Sequence, residues 1–161
     1  MKSTEEWIDI FENSVSDTIS LLQKEYLDFF SLKAVLVKDH NFTGPEKKWY
    51  GSYLRERNLL QQNIICFALN IPLIFKQMVI MGKVSDIPNI QMQAKVLTAH
   101  EIGHGLVDFL RLQNHPLPFP PLSKQEESTV QEFGLSFAPE YTHITKSFLK
   151  DTIYEMKKGQ E

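Results

Sequence analysis

The segment LTAHEIGHGLVDFL, Leu97 to Leu110, sets the tightest limit on what this chain can fold into. It is apolar enough for a core helix, yet it carries two of the chain's five histidines and, between them, the carboxylate of Glu101. Positions i and i+4 share one helix face about one turn apart, so His100 and His104 project side by side, with Glu101 next to them. Buried polar groups need partners. Two core histidines can be satisfied by neighbouring groups, or the pair can share an ion. The H-E-x-x-H spacing suits the second: both imidazoles reach one Zn2+ at ~2.0–2.1 Å. It also sets Glu101 beside the ion, where a general base for an attacking water is needed. Gly103 adds no side chain between the histidines.

A catalytic zinc ordinarily takes three protein ligands and keeps one position open. The extended H-E-x-x-H-x-x-G-x-x-H/D pattern fails, because Val107 and Leu110 stand where its glycine and third ligand would be. Asp108 does not fit that spacing and reads as a supporting or surface carboxylate. The segment EESTVQEFGLSF offers better candidates. Glu126 has a ready explanation as the capping-box partner of Ser123. Glu132 points away from the Val130–Gly134 stripe and reads as solvated. Glu127 lies at the border of the apolar face with no such explanation and is the expected third ligand; Glu126 is the runner-up, lying at least as close to the stripe.

At 161 residues the chain suits a single domain, 1–161. Its net charge of −3 advertises neither nucleic acid nor an anionic membrane. The one cysteine, Cys66, excludes an internal disulfide and fits a reducing compartment. The N-terminus lacks a signal-like apolar stretch, and the run from Ile64 to Phe75 is too short to span a bilayer. A cytoplasmic protein is expected.

Ser3 and Glu6 form a capping-box pattern opening a long amphipathic helix, roughly 4–30. Strands are expected at 33–38, 49–56 and 63–69, in succession, as an antiparallel meander. Asn70 and Pro72 start a short helix that Gly82 ends near Met81. Asp86 or Pro88 opens the histidine helix, which runs to about Leu112. NHPLPFPPL, 114–122, holds four of the eight prolines and cannot be regular structure; it reads as a rim over a cleft. A helix follows Ser123 and stops by Pro139. Thr142 caps a last helix ending near Gly159.

The motifs together resemble the ImmA/IrrE-type zinc metallopeptidases. TAHEIGHGL matches their H-E-x-x-H helix. Glu127, Val130, Gln131, Phe133 and Gly134 match positions of a following motif close to E-x-x-A-N-x-F-A, with Val130, Gln131 and Gly134 departing in identity. YGSY and NIICFALN look like the strand pair that precedes such a helix. The resemblance covers roughly 49–137. It implies an α+β, zincin-like fold of minigluzincin size, with a small antiparallel or mixed three-stranded sheet on several helices. It also implies zinc on His100, His104 and Glu127, Glu101 as base, and a peptide or protein substrate. No helix-turn-helix segment is recognisable, so direct nucleic-acid binding is not expected.

Tyr141 or His143 could donate to an oxyanion at the metal, although an ordinary helix start explains both. His115 reads as a surface residue. Arg55, Arg57 and Arg111 could bind a substrate carboxylate, but solvated charge is the default. An extended substrate could add to the strand WYGSYLRE. The rival reading is a zinc-containing binding or regulatory module with weak or no peptidase activity, its metal closed by a fourth protein ligand. The motif also admits a hydrolase acting on a non-peptide amide.

Overall fold

The computed structural model describes residues 2–56, 59–84 and 86–160. Among them lie six α-helices and one three-stranded sheet, a mixed α+β arrangement. Helix α1, Thr4–Leu22, opens with the expected capping box: the Ser3 side chain accepts from Glu6 N–H, and the Glu6 carboxylate from Ser3 N–H. The helical path continues to Phe30, but not as one α-helix. It loosens into a π turn over Gln23–Leu27 and tightens into a 3-10 turn over Asp28–Phe30. The Gln23 amide holds this end, donating to Asp28 Oδ1 and to the Leu32 carbonyl, both at 2.6 Å.

Strands β1 (Lys33–Leu36), β2 (Gly51–Tyr53) and β3 (Ile64–Leu69) are each shorter than their sequence pattern suggests. They do not form a meander. The spatial order is β1-β3-β2, with β1 parallel and β2 antiparallel to β3. Residues 37–50 cause the difference. They are too long for a hairpin turn and instead cross one face of the sheet, which delivers β2 to the far edge. That crossing covers a small apolar cluster, Leu54, Cys66 and Ala68, with Val37 and Phe42 against it. The opposite face presents Ile65, Phe67 and Leu69 to the main core.

Helices α2 (Ile71–Ile80) and α3 (Ile87–Leu112) start as expected, Asn70 accepting from Leu73 N–H and Asp86 from Asn89 N–H. Gly82 ends the first with φ +68°, a left-handed value that suits glycine. Helix α3 is the centre of the molecule, packed between α1, β3 and α4. Its residues Ile90, Ala94, Ala99, Ile102, Leu106 and Leu110 are wholly buried. Packing on several sides explains why the histidine helix looks apolar nearly all round. The neighbours come very close. A Cβ at Gly105 would stand 2.4 Å from Ile65 Cγ2, and one at Gly134 2.7 Å from the Val96 carbonyl. Gly134 is where the resembled motif has alanine; here the helices touch too tightly for one.

Helix α4, Lys124–Leu135, runs antiparallel to α3: Glu126 reaches His104, Gln131 reaches His100, and Gly134 meets Val96. Pro139 opens a single turn, α5 (Pro139–Thr142), rather than only marking a stop. The last helix, α6 (Phe148–Lys158), is capped by Ser147 and not by Thr142. The Thr142 hydroxyl instead donates to the Leu135 and Ala138 carbonyls. Glu132, expected to be solvated, accepts from Phe148 N–H at 2.9 Å and so joins α4 to α6. No described helix is long and apolar enough to cross a membrane.

Candidate metal centre

His100 and His104 project from the same face of α3 into a cleft of about 770 Å³, walled by α3, α4 and the edge strand β2. Their rings lie 5.2 Å apart between centroids. One ligand atom from each of His100, Glu101 and His104 falls within 4.8 Å of the others. What the sequence could not show is how each ring is held. His100 Nδ1 lies 2.7 Å from Gln131 Oε1, and His104 Nδ1 lies 3.1 Å from Glu126 Oε2. Helix α4 thus takes the inner nitrogen of both rings, which leaves both Nε2 atoms facing the cleft. They converge on one carboxylate: Glu127 Oε1 is 2.9 Å from His100 Nε2, and Oε2 is 3.1 Å from His104 Nε2.

Glu126 and Glu127 therefore divide the work that sequence reasoning assigned to one of them. Consecutive helix positions differ by about 100° in direction. Glu127, 62% exposed, turns to the cleft, while Glu126, 1% exposed, turns beneath His104. Glu126 is not the capping-box partner expected for Ser123. Its backbone N–H uses the Ser123 hydroxyl, but its carboxylate accepts from Arg111 Nη1 at 2.6 Å and Arg55 Nη2 at 3.0 Å. Arg55 also forks onto Asp108, with Nε at 2.9 Å from Oδ2 and Nη2 at 3.3 Å from Oδ1. Arg55 and Arg111 are thus not solvated charges, and Asp108 is bound to an arginine rather than aimed at the histidines. Arg57 lies outside the described residues.

Glu101 is almost fully buried beside the pair, and its Oε2 has no hydrogen-bond partner among the described residues. Room for it comes from Gly51 on β2, where a Cβ would stand 3.1 Å from both Glu101 Cγ and Oε2. Burial pushes the Glu101 carboxyl up, against the pull of His100 and His104. Glu127 is held well below the usual carboxylate range by its bonds to the two histidines. Glu126 is lowered to about 2; desolvation opposes this, but the His104 and Arg111 bonds prevail.

Desolvation draws His104 down, yet its bonds to Glu126 and Glu127 outweigh that and raise it from 6.5 to about 9. In metal-free protein this contribution to stability is fully present below pH 6.5 and is lost as pH rises through about 9. Unfolding midpoints measured in chelator are expected to fall across that window, and Zn2+ uptake below it to release a proton. A flat profile would exclude a charged His104 from the network.

The chain matches no protein-family profile, no curated protein and no solved structure.

The donor set suits Zn2+ on the structure's own terms. Two neutral-capable imidazoles and a carboxylate meet at one point, both inner nitrogens are engaged as metal-ligating histidines require, and a buried carboxylate oxygen beside them lacks a partner among the described residues. The other residues weighed from sequence fall elsewhere. Thr142 lines the cleft, whereas Tyr141 and His143 do not. His115 is half-buried and also outside the lining. Of the proline-rich segment, expected as a rim over the cleft, only Leu122 lines it, while Phe119 is buried in the core. Gln131, Glu126 and Arg55 were missed as supports. Only the spacing of Gln131 from Glu127, one helical turn, could have suggested the first.

Proposed function

We propose that this chain is a zinc-dependent metallopeptidase of zincin-like fold, in line with its resemblance to the ImmA/IrrE type. One observation carries the reading. Both histidines of H-E-x-x-H are held at Nδ1 by α4, so that both Nε2 atoms meet the Glu127 carboxylate, while Glu101 stands buried alongside with an oxygen that no described residue partners. His100, His104 and Glu127 would hold the ion. Bound there, Zn2+ supplies Lewis acidity, polarising a carbonyl and lowering the pKa of a water toward ~7.

Glu101 does the proton work. Its Oε2 takes the proton of the attacking water and returns it to the leaving amine. A raised carboxyl favours the uptake, because the weaker the acid, the stronger its conjugate base. A fourth protein ligand would argue for a structural ion. Among the described residues Asp108 is committed to Arg55 and Glu126 to Arg55 and Arg111, and His115 and His143 lie outside the cleft lining. This supports an open position and turnover over the binding-module reading.

The edge strand supports a peptide substrate. Tyr50 accepts from Asn70 N–H and Leu54 donates to the Cys66 carbonyl. By the alternation of an antiparallel ladder, and with the Tyr53 carbonyl already accepting from Arg55 N–H, it is the Gly51 backbone groups that turn away from β3 toward the cleft. An extended chain laid along β2 would meet them by strand addition. Trp49, Val96, Leu97 and Leu135 make the cleft apolar on the Tyr50 side of the histidines, a wall suited to an apolar substrate side chain.

The purified protein is expected to carry about one Zn2+ per chain and to cut members of a mixed peptide library. Elemental analysis without zinc, both as purified under chelator-free conditions and after addition of the metal, would defeat the reading.

A further inference from the structure

We propose that Arg55 is a positioning residue that ties the substrate-facing strand β2 to His104 through the buried carboxylate of Glu126; the inference rests on the peptidase reading above. Arg55 follows β2 by two residues, yet its guanidinium reaches both helices of the centre. It grips Asp108 on α3 through Nε and Nη2, at 2.9 and 3.3 Å, and Glu126 on α4 through Nη2, at 3.0 Å. The Glu126 oxygen it contacts, Oε2, is the one that faces His104 Nδ1. The other oxygen, Oε1, belongs to Arg111. Arg55 and His104 therefore share a single acceptor atom, and the direction in which that atom points depends on both.

A second route joins the same two residues. The Arg55 guanidinium carbon lies 5.2 Å from the centre of the Tyr53 ring, and that ring stacks nearly parallel to His104, 9° apart in plane and 6.3 Å between centroids. Tyr53 belongs to the strand whose backbone turns toward the cleft, so a peptide adding to β2 would press on Tyr53 and on the chain leading to Arg55. Displacement there is passed to Glu126 and to the ring it orients. Arg55 lines the cleft, yet its Nε and Nη2 donors go to Asp108 and Glu126. Arg55 and Arg111 face Asp108 and Glu126, two cations to two anions, which leaves no net positive charge. A planar five-donor fork can span two carboxylates from one position; a lysine ammonium, a point charge on a flexible stem, cannot reproduce it.

The test uses the full chain with Arg55→Met and Arg55→Lys. Zn2+ affinity is read by competition with a chromogenic chelator, and the geometry at the metal by the visible absorption of the Co2+-substituted protein. Arg55→Met should weaken Zn2+ by about tenfold, the lower end of what losing an outer support to a ligating histidine costs. It should also alter the Co2+ spectrum, an effect that loss of a merely structural salt bridge would not produce. Arg55→Lys should recover only part of both. On a cleaved peptide, kcat should fall along with a rise in KM. Should Arg55→Met fail to fold, Arg55→Lys and Asp108→Asn carry the same readouts, each with a smaller loss of affinity and a shifted spectrum. Folded variants with wild-type Zn2+ affinity and Co2+ spectrum would overturn the role of Arg55 and leave the peptidase reading standing. A wild-type protein that takes up no Zn2+ would overturn both.

Discussion

Glu101→Gln should abolish most hydrolysis while leaving the metal centre intact. The amide keeps the size of the side chain that Gly51 makes room for, but its carbonyl oxygen is far too weak a base to take a proton from water. Loss of a positioned general base costs roughly 10²–10⁴-fold in rate, and that is the range expected for kcat on any peptide the wild type cleaves. Zinc content should stay at the wild-type level. The melting temperature should hold or rise, because Glu101 is only 6% exposed and its charge is held in a poorly solvated place. The measurement needs three readouts on one preparation: turnover, bound metal and thermal midpoint. Unchanged turnover would remove Glu101 from the chemistry. Loss of zinc together with turnover would make it a ligand rather than a base.

The second large effect separates two adjacent glutamates. Glu126→Ala removes the common acceptor of Arg55, Arg111 and His104 Nδ1 from a site 1% exposed. Removing one partner of a buried ionic group typically costs about 3–5 kcal/mol. Here the side chains of Arg55 and Arg111 are 35% and 20% exposed, so water can partly replace the lost carboxylate. The lower end, roughly 3 kcal/mol, is expected, equivalent to a fall of about 6–12 °C in melting temperature for a chain of this size. This greatly exceeds the ~1 kcal/mol that loss of a helix cap would bring, and the Ser123 cap itself survives, because it uses the Glu126 backbone N–H. Glu127→Ala should do the opposite. Its side chain is mostly exposed, so losing its pairing with the two histidines should cost the metal-free protein about 1 kcal/mol, the upper end for exposed ion pairs. Its Zn2+ affinity should fall by more than the ~10–100-fold of an outer-shell loss. Paired melting curves in chelator and metal titrations of both variants decide it. The reverse ranking would make Glu126 the ligand.

The contrast between these two residues shows where sequence reading succeeds and where it stops. The spacing of His100, Glu101 and His104 is a local matter: 3.6 residues per turn places them together on any helix, and their side-by-side projection follows. Ser3, Asn70, Asp86 and Ser123 likewise act on the backbone three residues ahead, so the helix starts they cap were legible. Periodicity also indicated that Val130 and Phe133 face inward, as they do.

Which glutamate meets the histidines, and how, is not local. It depends on how far α4 is rotated and shifted against α3, and that is decided by contacts such as Gly134 against the Val96 carbonyl, across a separation the pattern does not encode. The role of Arg55 is further from reach still. Its partners Asp108 and Glu126 lie 53 and 71 residues along the chain, and an isolated arginine reads as solvated until packing brings the carboxylates to it. The sheet order follows the same rule. Three short apolar runs announce three strands, but only the path of residues 37–50 across the sheet makes β1 parallel to β3 and sets β2 at the edge beside the histidines. Local hydrogen bonding and helical pitch determined four helix starts and the histidine pair from sequence alone. The orientation of Glu126, the ion network behind it and the strand that borders the cleft were decided by tertiary packing, because each depends on distances between segments that local propensities leave open.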